Sequence, residues 1–116
     1  MILPKPMLDD AMLAAVDGGR VGIFTDRSSS VRRLMTEIVD EFPELREAAT
    51  LRWTNGDQEI SFPNGGRVLF LSVDLTRSLR GTRLDRCYVP IGTREWTLDE
   101  IRPALATSSD GLITGY

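Results

Sequence analysis

Arg20-Val21-Gly22-Ile23-Phe24-Thr25, then Asp26-Arg27, then Ser28-Ser29-Ser30 and the run from Val31 to Phe42, is the stretch that decides the fold. The first six residues are a short, mostly apolar run between Gly18-Gly19 and a polar segment. That reads as a buried strand. In the second run Val31, Leu34, Met35, Ile38, Val39 and Phe42 recur at spacings of three and four, which places them on one face of a helix. The serines supply an N-cap, and Pro43 ends the helix or starts another turn over 44–49. The next strongly apolar strand is Arg67-Val68-Leu69-Phe70-Leu71-Ser72, expected to be central. A helix between two such strands implies a right-handed parallel crossover.

Between the helix and that central strand the period changes from helical to alternating. Thr50-Leu51-Arg52-Trp53-Thr54 and Gln58-Glu59-Ile60-Ser61-Phe62 flank Asn55-Gly56, a strong hairpin signal because a tight turn needs positive φ there. Pro63-Asn64-Gly65-Gly66 is a second turn. Upstream, Met7 to Val16 reads as a helix that Pro6 can start and Gly18-Gly19 can stop, with Asp9 and Asp10 in its first turn. Downstream, 73–85 is a polar, arginine-rich loop. Arg86 to Val89 is a strand interrupted by Pro90, and Thr97-Leu98-Asp99-Glu100 is a capping box opening a helix that Pro103 kinks or shortens. Gly111 to Thr114 is a final short strand. The expectation is one α/β domain over 1–116: a small open mixed sheet with a parallel βαβ crossover and a β-hairpin, helices packed on its faces.

Bulk composition limits the chemistry. The chain has 116 residues, a net charge of -3 and no histidine. Without histidine, Ser-His-Asp and Cys-His catalysis are excluded. Cys87 is the only cysteine, so there is neither an intrachain disulfide nor a cysteine-rich zinc site, and it reads as a small buried apolar residue. The first six residues lack the apolar run of a signal peptide, and no run approaches a membrane span, so a cytoplasmic protein with no membrane contact is expected.

The residue pattern resembles part of the ATPase core of phage large terminases and their RecA-like relatives. Gly19 to Thr25 with Ser30 to Leu34 resembles that family's second strand and following helix. Glu59 to Ser72 resembles its polar strand, Asn-Gly turn and apolar strand. Ser78-Leu79-Arg80-Gly81 resembles its Arg-Gly motif before the Walker B strand, and Leu112-Ile113-Thr114-Gly115 its coupling strand. The resemblance implies a truncated RecA-like fold. It also implies a Gly-rich phosphate loop before the first helix and an acidic pair after an apolar strand. The first place holds Met1 to Pro6, where Lys5 lies between two prolines and no glycine can present backbone N–H groups. The acidic pair should fall near Pro90-Ile91, and neither is acidic. Adenosine triphosphate hydrolysis by this chain alone is therefore not expected, nor is any cofactor.

Among the remaining side chains, Arg77, Arg80, Arg83 and Arg86 recur every third residue around Gly81. They are the candidate contact surface for phosphate or an acidic partner, or a solvated loop in which Asp74 and Asp85 pair with the arginines. Asp9, Asp10 and Asp17 read as solvated helix charges rather than a metal cluster. Asp26-Arg27 follows the first strand, where open α/β sheets place ligand loops. Trp53 and Trp96 are either packed or exposed anchors. The leading expectation is a noncatalytic phage-type RecA-like or terminase-like module acting on a protein partner or by self-association, in regulation or host interaction. The alternatives are a nucleic-acid-binding protein using the Arg77–Arg86 loop, and a residual nucleotide-binding subunit completed by a partner.

Overall fold

Strand β1 (Arg20–Thr25) is buried at five of its six positions, because it lies in the middle of the sheet. In this computed structural model, which describes residues 3–54, 56–74, 82–105 and 111–116, the sheet has six strands in the order β2-β3-β4-β1-β5-β6. The others are β2 (Thr50–Arg52), β3 (Glu59–Ser61), β4 (Arg67–Ser72), β5 (Arg86–Val89) and β6 (Leu112–Gly115). β1 runs parallel to β4 and to β5, and β5 parallel to β6. β2 and β3 form an antiparallel hairpin that joins β4 antiparallel. The sheet is thus mixed and largely parallel, as the alternation of apolar strands and helices implied.

Two helical layers follow from the alternation of side chains along each strand. Val21, Ile23, Val68, Phe70 and Tyr88 point to one face. There they meet α1 (Lys5–Val16) and α2 (Val31–Glu41) through Leu8, Ala11, Met12, Leu34, Met35 and Ile38. Phe24, Cys87 and Val89 point to the other face, where they meet Leu84 and, from α4 (Glu95–Leu105), Ile101, Ala104 and Leu105. A short α3 (Leu45–Ala48) follows Pro43. No helix among the described residues is long and apolar enough to cross a membrane.

Several boundaries differ from expectation for local reasons. α1 begins at Lys5, with Pro6 inside its first turn, where proline's missing N–H costs nothing. Asp9 and Asp10 therefore lie beyond that turn. The three serines form a 3-10 turn and give no side-chain cap to α2. α4 starts two residues before Thr97, whose amide already donates to the Arg94 carbonyl (3.0 Å). Thr97 is buried within the helix and is not its cap. Pro103 is accommodated inside α4. Gly56 has φ +81°, as the hairpin turn requires.

The turn before β4 is locked to the end of α1. The Asn64 amide donates to the Val16 carbonyl (2.6 Å) and its oxygen accepts from the Gly66 amide (3.1 Å). Gly66 passes so close to α1 that a Cβ there would lie 1.8 Å from the Ala15 carbonyl oxygen.

Candidate functional site

The strand order creates a crevice that the chain order alone does not reveal. From β1 the chain crosses to β4 on one side, by way of α2 on one face. From β5 it crosses to β6 on the other side, by way of α4 on the opposite face. The carboxyl ends of β1 and β5 are adjacent but send their loops apart. This is the switch point at which open α/β sheets present their loops to ligands.

Two clefts meet there, sharing Asp26 and Pro90. One, of about 400 Å³, is lined by Thr25, Asp26, Arg33, Glu37 and Tyr116. The other, of about 310 Å³, is lined by Asp26, Asp74, Ile91, Arg94 and Trp96. The floor is held shut by hydrogen bonds. The Thr25 hydroxyl donates to the Arg27 carbonyl (2.6 Å), the Ser72 hydroxyl donates to Asp74, and the Tyr116 hydroxyl donates to the Phe24 carbonyl. Burial, with the charge of Asp26 second, pushes the Tyr116 phenol up to about 12. It stays a neutral donor.

The rim is different. Ile91 is 80% exposed and Trp96 57% exposed. The same cleft is lined by Asp26 and Arg94, which form no ion pair among the described residues. At the strand ends the Thr25 and Ser72 hydroxyls are both buried, Thr25 donating to the Arg27 carbonyl and Ser72 to the Asp74 carboxylate. Such a crevice can anchor and orient a bound surface, with a flat aromatic flanked by charges of both signs.

The arginines singled out in the sequence are only partly placed. Arg77 and Arg80 lie outside the described residues. Arg83 is exposed and has no ion pair among the described residues. Arg86 turns to the α1 face and donates to Asp10 (2.5 Å), which also accepts from the Tyr88 hydroxyl (2.8 Å). Its charge is occupied in joining α1 to β5. Neither acid expected to pair with the loop takes that role among the described residues: Asp74 accepts from Ser72, and Asp85 accepts the Arg20 amide (2.9 Å).

Other candidates resolve into packing. Lys5 pairs with Asp9 and Glu41, and its ammonium sits 4.8 Å from the Phe42 ring centre. Trp53 is half-buried against the core, with the Arg32 guanidinium 5.5 Å from its ring centre. Cys87 is fully buried and its thiol is pushed up to about 12 by desolvation. Ile91 drew notice in the sequence only as a non-acidic residue where the resemblance calls for an acidic pair, and its exposure at the rim was not expected. An apolar residue between Pro90 and Gly92 at the end of a central strand is the signal that could have found it. Comparison with protein-family models and with curated proteins gives no match to this sequence.

Proposed function

We propose that this chain contains a noncatalytic RecA-like module, of the phage terminase type, that works by binding a protein partner at the β1–β5 crevice. The carrying observation is what stands at the end of β5. Where the resemblance calls for an acidic pair, the chain has Pro90 and a solvent-exposed Ile91, with Trp96 beside it across a 310 Å³ cleft. An apolar side chain so exposed at a switch point gains nothing from water and is suited to desolvation by a partner. Tryptophan is the residue most enriched at binding hot spots. A RecA-like core contains parallel crossovers, and the β1–β4 connection through α2 is a crossover of that general kind.

The test is comparative capture from cell lysate with the wild-type chain, Ile91→Asp and Trp96→Ala. Both sites are exposed, so both variants should fold. Loss of the same captured proteins in both variants is the expected result. An unchanged set would contradict the assigned surface.

A second reading has one observation in its favour. Arg83 is exposed and without an ion pair among the described residues, in an arginine-rich loop. A nucleic-acid ligand would be gripped there, with strong salt dependence. Light scattering with a short DNA duplex at low salt tests it. A complex abolished by salt and by Arg80→Ala, Arg83→Ala would favour this reading, and a DNA-indifferent particle would remove it.

A further inference from the structure

The sheet has two edges, and they are built differently. β2 is three residues long and ends in Arg52, which pairs with Asp57 (3.0 Å) and Glu59 (3.6 Å). A short, charged edge is guarded against pairing with another strand. β6 reads Leu112-Ile113-Thr114-Gly115, with no charge and no proline.

The hydrogen bonds fix which backbone groups of β6 face outward. The Tyr116 amide donates to the Val89 carbonyl (2.9 Å), and the Tyr116 carbonyl accepts from the Ile91 amide (2.7 Å). In a parallel ladder alternate residues bond to the same neighbour. Thr114 and Leu112 therefore bond to β5, and the N–H and C=O groups of Ile113 and Gly115 point away from the sheet. Apolar surface lies on both sides of these groups. Leu112 is 53% exposed on one face. On the other, Leu98, Leu105 and Ile113 line a groove of about 480 Å³. Arg102 at its margin is already held by Glu95 and Asp99.

The geometry points to β6 as a self-pairing edge, through which two copies of this chain associate antiparallel about a two-fold axis at Thr114. In that register Ile113 faces Gly115 of the second copy, and Gly115 faces Ile113. Four N–H···O bonds then satisfy every outward group of both strands. Thr114 faces its own equivalent and Leu112 faces Tyr116. Glycine opposite isoleucine leaves room for the larger side chain. The contact is isologous and closes on itself. The guarded β2 edge stops the paired sheet from extending into a fibre.

A four-residue contact gives a weak dimer, so the experiment spans concentration. Light scattering and amide hydrogen exchange are measured on the wild-type chain from micromolar to about 1 mM. The expected result is a monomer that becomes a dimer, with exchange of the Ile113 and Gly115 amides slowing as it forms. Thr114→Lys sets two lysines face to face and is expected to weaken the dimer at least tenfold, with circular dichroism as the folding control. Trp96→Ala leaves it unchanged, which separates this proposal from the partner-binding surface. A monomer throughout the range overturns the proposal. So does a dimer in which those two amides exchange at the monomer's rate.

Discussion

Asp10 accepts hydrogen bonds from Tyr88 and Arg86, and these hold its carboxyl below the ordinary value of 3.8. A depressed folded pKa gives stability that is complete above the unfolded value and is lost as pH falls through the folded one. The carboxylate is half exposed, so screening keeps the effect small. Asp10→Asn is expected to lower stability by about 0.5–1 kcal/mol at neutral pH. Urea unfolding of both proteins should show the gap closing in strong acid. Gly66→Ala makes a larger prediction. Its Cβ would collide with the backbone of α1, and a loss of about 2 kcal/mol or more is expected from the displaced turn. Cys87, buried and with a raised pKa, should be inert to thiol reagents in the native chain and react only on unfolding. The sequence made the cysteine legible, since one thiol in an apolar run is ordinarily core. It could not disclose the Asp10 contacts, because Arg86 and Tyr88 stand 76 and 78 residues away and no local pattern links them.

At the scale of elements, α2 and β1 were the most legible parts. Their apolar positions are dictated by burial on one helix face and in the middle of a sheet, and both periods survive folding intact. Met35 and Ile38 are fully buried between α2 and the sheet. Ile38→Ala should cost about 2–5 kcal/mol, read from the denaturation midpoint. The start of α4 was misread because Thr97-Leu98-Asp99-Glu100 has the letters of a capping box, yet Thr97 is drawn into the core. Its burial beside Ile101 and Leu105 decides the matter, and tertiary packing outweighs a cap whose contribution is about 1 kcal/mol. The hairpin followed from Gly56 and the alternation on either side. Its attachment to the outer side of β4 did not, because pairing partners are set by the order of the whole sheet.

The molecule as a whole places β1 between β4 and β5, and this arrangement creates the crevice. Chain order lists the strands but does not say where the crossover direction reverses, so the switch point was visible only as a loop at Asp26-Arg27. The rim there joins Ile91 and Trp96 with Asp26 and Arg94, a surface suited to recognition. If the account is right, millimolar adenosine triphosphate with magnesium leaves the melting temperature of the chain unchanged, since only a ligand that binds the folded state raises it. The most direct test of the central claim is a photocrosslinking amino acid, benzoylphenylalanine, placed at position 91 and, as a control, at exposed position 47 on the far helix. The account predicts a discrete protein adduct from position 91 in cell lysate that is absent from position 47. No adduct at position 91, or the same adducts from both positions, would contradict it.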